Sequence, residues 1–239
     1  MEKINILNIP FDNVTMDEAV DRCKQFLNDD KTCYVCTPNA EIVYQCKEDN
    51  IARAAVCGAD MIIPDGGGVV LGSKMIKTPL KEKVAGVILG EKILPYCAES
   101  GKKLFILGAK PGVAESAAKN LSEKYKNLIV CGTKDGYYKD ESTVIEEINA
   151  AQPDLLYVCL GCPKQEIFMY KYKNLLNVKL MIGLGGSVDI YAGNVQQTPR
   201  FFVKANLEWF YRLCKQPSRF GRMMRIPKFF LALKKQTNH

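Results

Sequence analysis

The residues best suited to acid–base chemistry lie in the run Pro64-Asp65-Gly66-Gly67-Gly68, directly after a buried-type apolar segment. The glycines let a ligand or another backbone come close, and a carboxylate at the mouth of an apolar pocket can act as a base. The only histidine is His239, at a position that we expect to be frayed, so a positioned imidazole base is not expected. This favours Asp65 as a general base over the simpler interpretation, an aspartate in a turn.

A hydroxyl and an amide follow an earlier apolar segment, in the run Thr37-Pro38-Asn39-Ala40-Glu41. At the end of a strand such side chains point toward a ligand crevice, which makes Thr37 and Asn39 candidate binding residues. Asn39 is equally well explained as the N-cap of the helix that follows. The sequence leaves both interpretations open.

Three further turns contain glycine and join an apolar segment to a helix-like segment, at 108–112, 161–166 and 183–189. In the first, backbone N–H groups at a helix start are suited to binding a phosphate. That turn is neither a Walker loop nor a GxGxxG motif. The third resembles a dinucleotide fingerprint only superficially, because Val188 occupies the third glycine position.

Ten cysteines occur in the chain, and the pairs Cys33/Cys36 and Cys159/Cys162 together have the spacing of a four-cysteine zinc site. We expect reduced, mostly buried thiols instead, because residues three apart on a strand face opposite sides of a sheet. The chain has no Asp-x-Asp pair, so nothing in the sequence indicates a metal clamp on a diphosphate.

The elements that must position these residues alternate between strand-like and helix-like patterns. Strands are predicted at 4–9, 33–37, 59–64, 103–108, 128–132, 154–161 and 179–185. Helices are predicted at 16–27, from about residue 40, and at 68–76, 84–99, 112–125, 141–151 and 164–176. Thr15 and Glu18 form a capping box before the first helix. The pattern is typical of a Rossmann-like α/β fold, a mainly parallel sheet covered by helices, which binds ligands at the carboxyl ends of its strands.

Charge divides the chain into a predicted α/β domain at residues 1–194 and a basic, helical C-terminal appendage at residues 195–239. The appendage holds ten of the 33 basic residues but one of the 26 acidic residues, interleaved with eight aromatic side chains. Such a segment predicts an anionic, partly apolar partner: a membrane surface, a lipid phosphate or nucleic acid. A solvated helical face with aromatic residues in the core is the simpler alternative.

The start of the chain is too mixed in character for a signal sequence, and no apolar run reaches the roughly 18 residues that a transmembrane helix needs. We therefore expect a chain that is soluble or lies on a membrane surface.

Several separated stretches, in this order, resemble the WecG/TagA/CpsF family, glycosyltransferase family 26, and its TagA branch in particular. They are TPNAEIV (37–43), IPDGGGVVLGSK (63–74), KVAG (83–86), LGAKPGVAE (107–115), GCPKQE (161–166), GLGGSVDIYAG (183–193) and NLEWFYRLCKQPSRFGR (206–222). The resemblance covers nearly the full length, and motifs in a fixed order are far more specific than any one of them.

The resemblance implies an inverting, metal-independent transfer of N-acetylmannosamine from UDP-N-acetylmannosamine, without a cofactor. The implied acceptor is the 4-hydroxyl of N-acetylglucosamine on undecaprenyl diphosphate, which builds the wall teichoic acid linkage unit. By the motif match Asp65 is the general base, and Lys83 stands where the family often has arginine. The other substrate-binding positions that the match implies are Thr37, Asn39, Gln165, Gly108, Gly112, Tyr137 and Asp189.

The resemblance also implies that the appendage docks on the body at the membrane and completes the active site there. Its arginines would contact the acceptor diphosphate or lipid headgroups, a task suited to bidentate guanidinium groups; they are Arg212, Arg219, Arg222 and Arg225. The implied location is the inner face of the cytoplasmic membrane, with a dimer or trimer in solution and no nucleic acid partner.

Three alternatives stay open at this point. The same fold and reaction type can serve another UDP-sugar, such as UDP-N-acetylmannosaminuronate or UDP-glucose. A nucleotide-binding oxidoreductase is also compatible with a doubly wound sheet, although the chain has no GxGxxG motif. A module that binds nucleic acid or a membrane would use the basic tail but would leave Asp65 and the glycine turns unexplained.

Overall fold

The computed structural model describes residues 2–195, residue 202 and residues 220–237. The strands are β1 Lys3–Ile6, β2 Ile9–Asp12, β3 Cys33–Cys36, β4 Met61–Ile62, β5 Lys103–Gly108, β6 Ile129–Lys134, β7 Leu155–Cys159 and β8 Leu180–Gly183. The helices are α1 Met16–Leu27, α2 Ala40–Glu48, α3 Asn50–Cys57, α4 Gly67–Met75, α5 Gly86–Ser100, α6 Val113–Lys124, α7 Glu141–Ala151, α8 Lys164–Tyr172, α9 Ser187–Tyr191, α10 Phe220–Met223 and α11 Arg225–Thr237.

Six strands form one parallel sheet in the order β4-β3-β8-β7-β5-β6. Strand β7 shows why a strand inside this sheet is apolar throughout. Leu155 and Tyr157 pack in the core shared with α1, α5 and α6, while Leu156 and Val158 pack in the core shared with α2, α7 and α8. Both faces of the sheet are covered, so no position of the strand faces water. The predicted α/β class is confirmed.

The prediction of a single strand at residues 4–9 is wrong. This segment contains the end of β1, a turn and the start of β2, and the two strands form an antiparallel hairpin. Leu7 and Asn8 form its turn with φ values of 50° and 67°, which suits a two-residue hairpin connection. The Asn8 N–H donates to Asn5 Oδ1 at 2.9 Å. The hairpin is fixed to the sheet edge because the buried Asp12 carboxylate accepts a hydrogen bond from Ile62 N at 2.8 Å.

The capping box before α1 is confirmed, since Thr15 Oγ1 accepts from Glu18 N at 3.3 Å and Glu18 Oε2 accepts from Thr15 N at 2.7 Å. The helix predicted from residue 40 is in fact two helices. Asp49 ends α2 and caps α3, and its Oδ1 accepts from Ile51 N and Ala52 N.

Within each pair, the two cysteines lie on opposite faces of the sheet, as expected for residues three apart along a strand. Cys33 and Cys159 belong to one core cluster, whereas Cys36 belongs to the other and Cys162 packs against that other cluster. A shared zinc site is therefore excluded by geometry. Across residues 2–195 and 220–237, no group of three or more His, Cys, Asp or Glu side chains is arranged to hold a metal ion.

The last described helix, α11, packs against α2 and α4 of the α/β domain. Phe229 and Leu233 are fully buried at this contact. Gly72 of α4 makes it close: a Cβ there would lie 2.7 Å from Leu233 Cδ1 and 2.9 Å from Phe229 Cζ. The division of the chain at residues 194 and 195 stays a prediction, because residues 196–201 and 203–219 lie outside the described part.

Replacing Phe229 with alanine is expected to lower the free energy of unfolding by about 3–5 kcal/mol, because a fully buried aromatic ring is lost. Leu231, on the exposed side of the same helix, is the matched control, and its alanine variant is expected to stay within about 0.5 kcal/mol. Urea unfolding followed by circular dichroism measures both. Equal effects would contradict the packing of α11.

Candidate active site

All six sheet strands run in the same direction, so their carboxyl ends form one edge of the sheet. The predicted site residues follow these ends: Thr37 and Asn39 after β3, Asp65 after β4, Gly108 and Gly112 at and after the end of β5, Tyr137 after β6, Gln165 after β7 and Asp189 after β8. Ligands of open parallel sheets bind at this edge. The fold therefore brings together, on one side of the molecule, residues that are up to 152 positions apart in sequence (Thr37 to Asp189).

Asp65 is half-buried and lies at the start of the turn into α4. It follows the buried Pro64 and precedes Gly66, which is also half-buried. Gly66 has φ 88°, which favours glycine, and a Cβ there would lie 3.6 Å from the Asn39 Cβ. The N–H of Val84 donates to Pro64 O at 3.0 Å. This bond holds the backbone of Lys83, the residue before Val84, alongside Asp65. These contacts bring the segments of Asp65, Asn39 and Lys83, which belong to three separate motifs, to one loop cluster.

The Thr37 hydroxyl lies where three elements meet, β3, β8 and α5. Its Oγ1 donates to Gly183 O at 2.9 Å, which joins the end of β3 to the end of β8. Gly86, the first residue of α5, is so near that a Cβ there would lie 3.1 Å from Thr37 Oγ1. Because the hydroxyl proton is already used, its oxygen can take part in ligand binding only as an acceptor.

Asn39 is the N-cap of α2, and its Oδ1 accepts from Ile42 N at 3.1 Å. The capping interpretation is confirmed. The cap uses only the oxygen of the amide, so a ligand role for the nitrogen of Asn39 stays a prediction.

Gln165 is buried at the start of α8, and both ends of its amide have defined partners. Its Oε1 accepts from Gly185 N at 2.9 Å, and its Nε2 donates to Glu166 Oε1 at 2.9 Å. The side chain therefore holds the loop that follows β8. A direct contact of Gln165 with substrate stays a prediction.

Glu166 was not among the predicted site residues, although it lies in the GCPKQE motif. It is 1% exposed, and its Oε2 has no hydrogen-bond partner among the described residues. Burial raises the pKa of Glu166, against smaller lowering contributions from Gln165, its own backbone N–H and the Cys162 thiol. The helical spacing from Glu166 to Met169, three residues on along the buried side of α8, is the sequence signal that could have identified it.

The turn after β5 is tightly packed at its first residue and open at its last. Gly108 has φ 125°, and a Cβ there would lie 2.4 Å from the carbonyl carbon and oxygen of Cys159. Gly112 has φ 83° and no atom within 4 Å of a Cβ. It begins α6 without a side-chain cap, which leaves the helix start suited to an anion.

A cavity of about 320 Å³ opens after β6, and Tyr137 lines it with 68% of its surface exposed. The N–H of Gly136 donates to Ala109 O at 2.9 Å, so the cavity adjoins the Gly108 turn. Asp189 lies near the end of β7, where burial and, secondarily, its charge raise the pKa of the Cys159 thiol. The cavity and the Tyr137 ring therefore lie beside the Gly108 turn, and β7, which pairs with β5, ends near Asp189.

Of the four predicted phosphate-binding arginines, the structure describes the side chain of Arg225. Its Nη1 donates to Gln45 Oε1 at 3.0 Å, and its Nε lies 4.0 Å from Glu48 Oε2. Arg212 and Arg219 lie outside the described residues, and for Arg222 only the backbone is described. Contacts of these arginines with phosphate stay predictions. Within the described ranges, no helix has the length and apolar character needed to cross a bilayer.

Comparison with known proteins gives a consistent result. The sequence model of the glycosyl transferase WecG/TagA/CpsF family matches residues 4–239. Proteins named N-acetylglucosaminyldiphosphoundecaprenol N-acetyl-beta-D-mannosaminyltransferase are similar to this chain. That of Bacillus spizizenii is 37% identical over 88% of this chain and 82% of its own length. That of Bacillus subtilis strain 168 is 35% identical over 99% and 93%, and that of Staphylococcus aureus strain MRSA252 is 33% identical over 98% and 92%.

Proposed function

Since the chain belongs to the WecG/TagA/CpsF family of glycosyltransferases, we propose that it transfers N-acetylmannosamine from UDP-N-acetylmannosamine to N-acetylglucosamine on undecaprenyl diphosphate. The relatives named for this reaction match nearly the whole chain. The observation that carries the chemistry is the half-buried Asp65 at the carboxyl edge of the sheet, beside the Lys83 segment and Asn39. The oxidoreductase alternative is set aside because the family match extends over residues 4–239.

Asp65 acts as the general base in this proposal. Its carboxylate takes the proton from the acceptor 4-hydroxyl while that oxygen attacks the anomeric carbon of the donor sugar. The bond from the anomeric carbon to the diphosphate oxygen breaks on the opposite face, and its electron pair leaves with UDP. A single displacement inverts the anomeric carbon. It needs one base, and the cluster around Asp65 supplies one.

The growing negative charge on UDP is stabilised without a metal ion in this proposal. Helix starts direct backbone N–H groups at an anion, and several helices that start at the carboxyl edge, α5 and α6 among them, have no side-chain cap. Lys83 adds a positive charge beside Asp65. A lysine contributes a point charge and not the bidentate contact of an arginine, so the helix starts carry more of the task here.

The uridine is assigned to the cavity after β6. The Tyr137 ring suits stacking on a base, and the carboxylate of Asp189 suits a ribose hydroxyl. The bond between Gly136 N and Ala109 O places this cavity next to the Gly108 turn, so the diphosphate would extend from there toward Asp65.

The acceptor is lipid-linked, so we place the protein on the inner face of the cytoplasmic membrane. The basic residues of 195–239 support this location, because each Lys or Arg near an anionic surface favours binding by about 1 kcal/mol. Completion of the site by this segment, and a dimer or trimer away from the membrane, belong to the same proposal.

A transfer assay with the full chain tests this function. With UDP-N-acetylmannosamine and a short-chain lipid diphosphate carrying N-acetylglucosamine, we expect a disaccharide product with a β bond, at a rate that a chelator leaves unchanged. UDP-glucose and UDP-N-acetylmannosaminuronate are the matched donors, and both are expected to react at least about tenfold more slowly. Loss of activity with chelator and its return with Mg²⁺ would refute the metal-independent mechanism. Faster transfer from either control donor would refute the sugar assignment.

A further inference from the structure

We propose that Glu166 is a positioning residue, whose carboxyl orients the Gln165 amide so that this amide holds the loop after β8 in its binding conformation. The inference rests on the proposed function, in which Asp189, shortly after that loop, contacts the ribose of the donor.

The Gln165 amide has one productive orientation. Its oxygen must face Gly185 N, a donor, and its nitrogen then faces Glu166 Oε1, an acceptor, each at 2.9 Å. An amide turned over would direct its N–H₂ at another N–H and its oxygen at a carboxyl oxygen. Glu166 thus excludes the reversed amide.

The loop is shaped around this amide. A Cβ on Gly183 would lie 3.0 Å from Gln165 Nε2, and one on Gly185 would lie 3.6 Å from its Oε1. Gly185 also has φ 52°, a conformation that costs little only for glycine. On its other side, Gly183 O accepts the hydrogen bond from Thr37. A chain of contacts therefore runs from the buried carboxyl through the amide to the hydroxyl at the pocket.

The burial of Glu166 fits such a role better than a packing role. A carboxyl that is 1% exposed, with Oε2 lacking a partner among the described residues, is costly to bury. An apolar side chain would fill the same space without that cost. Glutamine has the same length and shape and keeps one carbonyl oxygen, so it is the closest isostere of Glu166.

Two variants of Glu166 test whether its carboxyl acts as a hydrogen-bond acceptor or only fills space. Glu166→Met keeps the length but removes the acceptor, and we expect it to weaken UDP binding about tenfold by calorimetry, since an unoriented amide no longer holds Gly185 N. Glu166→Gln keeps a carbonyl oxygen opposite Gln165 Nε2 and is expected to stay within about twofold of wild type. Equal loss in both variants would overturn the proposal.

A double-mutant cycle tests whether Glu166 acts through Gln165. In a Gln165→Ala background, Glu166→Met is expected to weaken UDP binding by less than about twofold, because the amide that it orients is gone. The same tenfold loss in both backgrounds would overturn the proposal. If Glu166→Met does not fold, Glu166→Asp retracts the acceptor by one methylene; UDP binding unchanged in that variant would equally overturn it.

Amide hydrogen exchange at Gly185 needs no ligand and separates this inference from the proposed function. Protection of the Gly185 N–H is expected to fall about tenfold in Glu166→Met and to be kept in Glu166→Gln. Unchanged protection in Glu166→Met would refute the positioning role. Wild-type protein that fails to bind UDP would refute the proposed function, while this exchange result would still stand.

Discussion

The Asp65→Asn variant is expected to lose transfer activity about a thousandfold in kcat, with the fold and the affinity for UDP unchanged. Asparagine has nearly the same shape but cannot take a proton from the acceptor hydroxyl, and general base catalysis typically contributes 10²–10⁴-fold. The loop that contains Asp65 is held by the hydrogen bond from Val84 N to Pro64 O and by the backbone conformation of Gly66, so the exchange leaves the loop in place. Single-turnover transfer, calorimetry with UDP and thermal unfolding measure the three quantities.

Asp60 is the matched control, because it precedes the amino end of β4, the strand that Asp65 follows. Its carboxylate accepts from Tyr34 N at 2.8 Å and pairs with Lys173 Nζ at 2.8 Å, at the amino end of the sheet. Asp60→Asn is therefore expected to lower the unfolding temperature and to leave kcat within about twofold. More than a tenth of wild-type kcat in Asp65→Asn would refute its assignment as the base.

The Gly108→Ala variant is expected to lose about 3–5 kcal/mol of stability and nearly all UDP binding. The added Cβ would meet the Cys159 backbone at 2.4 Å, and a backbone atom of the neighbouring strand cannot move away as a side chain does. The φ of 125° adds strain of its own for any residue with a Cβ. Displacement of this turn would also shift the cavity beside it, since Gly136 N bonds to Ala109 O.

Gly112→Ala separates the two causes of that loss. Gly112 has φ 83° but open space around its Cβ position, so alanine there meets the strain alone, about 1–2 kcal/mol. Urea unfolding and calorimetry with UDP compare the two variants. Equal destabilisation would show that the close approach to Cys159 is not responsible.

Much of the sheet was predictable from sequence because its central strands, such as β7 and β8, are covered on both faces and are therefore apolar throughout. The run at 103–108 is a strand with the predicted bounds. The hairpin was missed because Leu7 is not a typical turn residue and the apolar pattern continues through it. The order of the strands depends on packing between distant segments, which no local pattern carries.

The positions of the candidate site residues were predictable where a residue follows a strand, and less so elsewhere. The placement of Asp65 and Thr37 at the carboxyl edge was predictable because the strand ends of a parallel sheet share an edge. Glu166 was missed because a charged residue is expected on the surface, and its neighbours come from other elements. The contact of α11 with Gly72 was equally hidden, since a glycine within a helix does not reveal which partner lies against it.

The seating of α11 on α4 also has a consequence for biosynthesis. Translation proceeds from the N-terminus, so α11 leaves the ribosome after every other described element. Until then, the surfaces of α2 and α4 that Phe229 and Leu233 cover are exposed to solvent. A chain cut short by premature termination keeps that apolar surface uncovered, which marks it for chaperones and proteases. Burial of α11 thus distinguishes a chain that contains this helix from one that stops before it.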